Sequence, residues 1–224
     1  MNPDLKHPSL GVDEDAFLAG ITRALADRGD SIDPPALDAA RVVAPDENLV
    51  ERFIEMAAAA GMKPTRFDTL SAATENLLEI LHGLSARTVL LPPEPWPGRD
   101  DFAAAVAKAG IASADVLDPD AAFDVDVGIT GVRMAIAETG SLVLDSGPDR
   151  ARLASLAVPV HFAVLREDRI VADLLDWIAD GDADPPANVV LITGPSKTAD
   201  IEMNLVTGVH GPGEVHIFLL PAHY

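Results

Sequence analysis

The segment "VDVGITGVRMAIAETGSLVLDSGPDRARLASLAVPVHFAVL", residues 125–165, decides the fold. It contains three short apolar runs, VDVGITG, SLVLDSG and VPVHFAVL, with a glycine turn after each of the first two. Runs of this length, rich in valine, isoleucine and leucine, read as strands buried on both faces. PDRARLASLA, before the third run, reads as a helix, and VRMAIAETG, after the first, as a helical turn. Strands alternating with helices make βαβ units. Such units build a mostly parallel sheet with helices over both faces, so the expected fold is a three-layer α/β/α domain.

The same grammar runs outward from this segment. Upstream lie a strand at 87–92 (RTVLLP), a helix at 99–110 (RDDFAAAVAKAG) and a strand at 114–118 (ADVLD). Downstream lie a helix at 170–180 (IVADLLDWIAD) and strands at 187–193 (ANVVLIT) and 214–220 (EVHIFLL). Three helices come first: 11–29, where Phe17, Ile21 and Leu25 recur every fourth residue; 44–61; and 71–84, with Ser71 as its expected N-cap. A proline-marked stretch, DSIDPPALDAARVV, separates the first two. The expected division is an N-terminal helical arm over residues 1–40 and an α/β domain over 41–224.

Composition narrows the function. The 224 residues carry 36 acids against 16 bases, a formal net charge of −20. That field repels nucleic-acid phosphates and anionic membrane surfaces, so neither is an expected partner. The chain has no cysteine, hence no disulfide framework and no thiolate for an iron–sulfur cluster. The opening residues, MNPDLKHPSLGVDED, lack the apolar run of a signal peptide, and a cytoplasmic location is expected.

In an open α/β sheet, ligands sit at the carboxyl ends of strands. Three glycine turns fall at such ends: Thr130-Gly131, Ser146-Gly147 and Thr193-Gly194. Glycine permits a close backbone approach to an anion, although strand-to-helix turns also use glycine for their own geometry. GPSKT (194–198) is not a nucleotide P-loop, because that pattern would need glycine at Leu191 and Ser196. What survives is Ser196, Lys197 and Thr198, either facing an anion or capping and solvated. Asp200, Glu202, His210 and His216 follow no recognised metal spacing, so no metal is assigned, and His210-Gly211 is taken as a polar loop. Glu138, ahead of Thr139-Gly140 and a strand, is either a base or nucleophile or a structural acid tying turns together.

Two blocks carry a resemblance. GITGVRMAIAETGSLVL (128–144) and GPSKTADIEMNLVTGVHGPGEVHIFLL (194–220) resemble the LUD domain family in its LutC/YkgG branch, over residues 41–221. In the family pattern threonine is commoner at Ser141 and arginine at Lys197; lysine keeps the charge without the planar fork. The resemblance implies a NagB/RpiA/CoA-transferase-like fold and a role in L-lactate utilisation, beside iron–sulfur partner proteins that oxidise lactate to pyruvate. The chain itself is expected to bind no cofactor. It is expected to hold a small anionic metabolite at the strand carboxyl edge, through Thr130, Gly131, Thr139, Gly140, Gly147, Gly194, Ser196, Lys197, Thr198, Asp200, Glu202, His210 and Gly211. The alternative is a stand-alone enzyme acting on a CoA ester or phosphorylated metabolite, with Glu138 as nucleophile or base.

Overall fold

The computed structural model describes residues 14–26, 41–44, 47–114, 121–147, 152–179, 186–199, 205–208 and 210–224. In chain order its first elements are α1 (Glu14–Ala26), α2 (Leu49–Ala59), β1 (Lys63–Arg66), α3 (Leu70–Gly83), β2 (Thr88–Leu90), α4 (Arg99–Lys108) and β3 (Ala112–Ser113). Then come β4 (Val127–Gly131), β5 (Met134–Ile136), β6 (Ser141–Ser146), α5 (Leu153–Leu156), β7 (Val160–Arg166), β8 (Ile170–Val171) and α6 (Leu174–Ala179). The last are β9 (Asn188–Ile192), β10 (Lys197–Ala199), β11 (Leu205–Thr207) and β12 (Glu214–Leu220). The chain divides into two compact units, Met1–Ala40 and Arg41–Tyr224. Helix α1 belongs to the first, and everything below concerns the second.

Six parallel strands, in the order β1-β12-β7-β4-β2-β3, form the central sheet. Alternation along the strands sorts side chains between two cores. Val160, Phe162 and Val164 of β7 join Phe218 beneath α3 and α4, whose Leu77, Leu81, Phe102 and Val106 close that face. Ala163 and Leu165 of β7, with Ile217 and Leu219 of β12, face the other way onto Phe53 and Ala57 of α2. Ala154 of α5 packs with Leu90, Val125 and Val158.

The second covering layer is partly a sheet, which corrects the helical reading of VRMAIAETG. Met134–Ile136 is a strand in a mixed four-stranded sheet, β8-β5-β6-β9, with β5 and β6 an antiparallel pair. Both of its faces are buried: Ala135 and Ala137 meet the core under α2, while Met134 and Ile136 pack with Val143 and Trp177. A short segment that is apolar on every side carries no period, so a strand and a helical turn look alike in sequence. The single helix expected over 170–180 also divides. Asp173 accepts hydrogen bonds at Oδ1 from Leu175 N (2.9 Å) and Asp176 N (3.1 Å), so α6 starts there and Ile170–Val171 is left to pair with β5. Arg41 binds Asp173 at 3.0 Å and Asp176 at 2.8 Å, and this contact holds the Asp176 carboxyl below the usual carboxylate range. Helix α3 is capped by Thr69, whose hydroxyl accepts from Ala72 N at 3.2 Å; Ser71 instead donates to Glu75 (3.0 Å).

One glycine sets how closely α5 can lie on the sheet. A Cβ on Gly128 would stand 1.8 Å from the Ala154 carbonyl oxygen, so backbone meets backbone there. Gly128→Ala should therefore force α5 off β4 and cost about 3 kcal/mol, as overpacking does. Urea unfolding of the two proteins checks this, and equal midpoints would show that α5 yields freely.

Candidate functional site

One end of the four-stranded sheet gathers the chemistry. Strand β5 ends at Ile136, the turn Ala137–Gly140 follows, and β6 starts at Ser141 beside the end of β9, in the register Leu142↔Ile192. The turn is locked at both ends. Glu138 N donates to Ala172 O at 2.9 Å. Gly140 adopts φ +68°, and a Cβ there would lie 2.3 Å from Ala57 N, directly on the α2 backbone. Gly194, at φ +120°, lies against the Ala60 carbonyl in the same manner, with 2.8 Å from a Cβ to that oxygen. Both positions need glycine for conformation and for space.

These constraints bring three hydroxyls into a line. Thr139 Oγ1 is 2.6 Å from Ser141 Oγ, and Ser141 Oγ is 2.6 Å from Thr193 Oγ1. Ser141 is buried, whereas Thr139 and Thr193 are exposed. Half-buried Glu138 precedes Thr139 in the turn. Lys197 Nζ donates to Ala60 O at 3.3 Å, which puts the ammonium near Gly194 and the Thr193 end. Thr139, Gly140, Gly194, Lys197 and Glu138 are thus brought into one neighbourhood. Ser141 and Thr193, which complete it, were missing from the expected ligand set. The available signal was that both are hydroxyls at glycine turns, one inside the first sequence block and one directly before the second.

The other expected ligand residues do not share one edge, and this corrects the single pocket at the strand carboxyl ends. Ser196 N donates to Pro212 O (2.7 Å) and Gly213 N to Pro159 O (2.9 Å), so Ser196 and Gly211 stand where β7 and β12 begin, at the amino edge of the central sheet. Gly131 closes β4 at the opposite, carboxyl edge, under the Trp96 ring, where a Cβ would come within 2.5 Å of Trp96 Cγ. A cavity of about 370 Å³ lies beside Trp96 and Arg99 at that edge. Gly147 follows the far end of β6, roughly 17 Å of extended strand from Ser141. His210 is exposed. Thr198 lies in β10 opposite Val206. Asp200 and Glu202 fall outside the described residues. Among the described residues, no three potential metal ligands come together.

Thr130 turns inward. Its hydroxyl is 2.9 Å from Nε2 of His161, a fully buried residue that the sequence reading did not single out. Burial pushes the His161 pKa down to about 3. At the amino edge, Glu214 binds Lys63 and lies 2.6 Å from His216 Nε2, and the His216 ring stacks on Phe162 with centroids 4.6 Å apart. The Lys63 contact, then the His216 contact, hold the Glu214 carboxyl below its ordinary range; burial outweighs Glu214 and lowers His216.

The family model of the LUD domain matches residues 50–220, a span that runs from the first turn of α2 to the end of β12. The chain belongs to the LUD domain family. It is 31% identical over 196 residues to an uncharacterised protein of Neisseria meningitidis serogroup B, covering 78% of this chain and 79% of that one. It is 32% identical over 162 residues to Lactate utilization protein C of Halalkalibacterium halodurans, covering 67% and 69%. With the protein of the same name from Bacillus subtilis it shares 38% over 97 residues, 41% of this chain and 40% of the other. A crystal structure of a DUF162 family protein from Deinococcus radiodurans has the same fold at 18% identity, with a TM-score of 0.53 over 77% of this LUD chain and 96% of that one. No helix among the described residues of this LUD domain protein is long and apolar enough to cross a membrane.

The buried imidazole sets a pH dependence. A histidine whose folded pKa lies below its unfolded value of about 6.5 contributes stability that is whole above that pH and is lost as pH falls towards about 3. Between pH 7.5 and 5 the wild-type chain should lose about 2 kcal/mol more unfolding free energy than His161→Gln. His216 acts with the same sign in both proteins and cancels in the difference. Denaturant titrations at the two pH values check this, and parallel losses would show that His161 is protonated in the fold.

Proposed function

We propose that this LUD domain protein is a component of L-lactate utilisation, serving the oxidation of lactate to pyruvate together with separate iron–sulfur proteins. The observation that carries the reading is its 32% identity over 162 residues to a Lactate utilization protein C. Geometry supports it, because Thr139 and Ser141 of the first resemblance-bearing block meet Thr193, which directly precedes the second, and Lys197 of the second bonds the Ala60 carbonyl that abuts Gly194.

Turning lactate into pyruvate removes two electrons and two protons. A chain without cysteine has no thiolate to hold a cluster, so the electrons pass to a partner subunit and the chain's own work lies with the ligand. A half-buried carboxylate such as that of Glu138 can take a proton from a bound hydroxyl. In this reading the expected ligand is a small anion seated against the hydroxyls, with Lys197 offsetting its charge.

Deleting the gene should abolish growth on L-lactate as sole carbon source while leaving growth on pyruvate intact. Complementation with Glu138→Gln should fail although the purified variant melts within a few degrees of the parent. A variant that melts clearly lower yet restores growth would make Glu138 a structural tie. Turnover of an acyl-CoA or phosphorylated metabolite by the purified chain alone would replace the accessory role with that of a self-sufficient enzyme.

A further inference from the structure

The line Thr139–Ser141–Thr193 has a proton count that fixes what it can bind. Three hydroxyls carry three protons, and two are used between them. Ser141 is buried, and the two threonines are its hydroxyl partners, so it donates to one and accepts from the other. One exposed end is therefore left with a free O–H and the opposite end with free lone pairs. The line is polar: one end keeps a proton to donate outward, while the other can only accept.

The charges decide which end is which. Lys197 lies on the Thr193 side, bonded to the carbonyl that abuts Gly194, and Glu138 adjoins Thr139. A ligand carboxylate is drawn to the cation, so Thr193 donates to it, Ser141 donates to Thr193, and Thr139 donates to Ser141. Thr139 then faces outward as an acceptor. The two ends are at most two hydrogen-bond lengths apart, a span that adjacent functional groups of one small molecule can bridge.

We propose that this hydroxyl line is the specificity-determining element for a 2-hydroxy acid, with Thr193 donating to the carboxylate and Thr139 accepting from the 2-hydroxyl. The inference rests on the proposed lactate role and goes further, because it requires discrimination against the 2-oxo acid. A 2-oxo acid has acceptors alone and leaves the Thr139 end unpaired; a simple carboxylic acid lacks the second group entirely. Sites built to pair a ligand hydroxyl reject analogues that lack it more strongly than apolar pockets reject a size change.

The test is calorimetric titration of the full chain with L-lactate, pyruvate and propionate. The wild type should bind L-lactate at least about tenfold more tightly than either analogue. Ser141→Ala uncouples the threonines, so the ratio should fall below about threefold; Ser141→Thr, which restores a hydroxyl, should recover it. If Ser141→Ala melts below the assay temperature, Thr139→Val removes the outward acceptor and reads the same ratio. Equal wild-type affinities for L-lactate and pyruvate, no binding of L-lactate, or an unchanged ratio in Ser141→Ala would each overturn the proposal. The lactate role is judged separately by growth. Lactate-dependent growth without 2-hydroxy acid preference sinks the hydroxyl line alone, and preference without a growth defect sinks the pathway role alone.

Discussion

The contact on which the site depends is between two stretches of backbone. Gly140 lies so close to Met56 and Ala57 of α2 that no methyl group fits between them. Helix α2 is fixed in turn by the apolar surface it buries, since Phe53 and Ala57 are wholly enclosed between β7, β12 and the four-stranded sheet. Packing of α2 therefore sets the height of the β5–β6 turn, and the turn places Thr139 and Ser141. Gly194 makes the second contact of this kind, on Ala60 at the end of the same helix, and that contact places Thr193. Two glycines read the position of one helix and convert it into a hydrogen bond of 2.6 Å between hydroxyls that are 52 residues apart in sequence.

The parallel sheet was legible because its central strands are buried on both faces. VGITG, VHFAVLR and EVHIFLL are near-continuous apolar runs, and burial on two sides leaves little room for any other composition. Strand β1 was not legible. KPTR is an edge strand with three of four residues exposed, so its sequence carries no core signal. The four-stranded sheet was hidden for the opposite reason. Met134–Ile136 is buried on every side, and β8 lay inside a run that reads as helix until Asp173 is recognised as a cap.

The candidate site was legible as a set of turns and not as a place. Glycine turns in an α/β chain were assigned to strand carboxyl ends, a rule that holds for Gly131. It fails for Ser196 and Gly211, because the chain after β9 passes through Gly194 to the amino edge of the central sheet, where β12 starts. The strand preceding Gly194 belongs to the other sheet, and membership of two sheets cannot be read from local sequence. Thr130 misled for a related reason. Its threonine–glycine turn resembles the other two, but the alternation of β4 sends the hydroxyl to His161 inside the fold. A buried histidine in the run VPVHFAVL announces itself only as an interruption of apolar residues.

The electrostatics of the neighbourhood bear on how the proposed anion would be held. The chain as a whole is strongly acidic, and the nearest helix end is the carboxyl end of α2, the negative pole of the helix dipole. Both features oppose an anion beside Thr193. Lys197 acts on the nearer of them by donating to Ala60 O, so its charge is set against the helix end before any ligand arrives. One carbonyl is one acceptor, and a compact ammonium meets it without the paired geometry that a guanidinium fork offers. What remains of the lysine charge is then local and short-ranged, and in the proposed arrangement orientation of the ligand falls to the neutral hydroxyls. Their two internal hydrogen bonds leave the third proton a choice of two ends, and in the proposed arrangement the position of one cation decides between them.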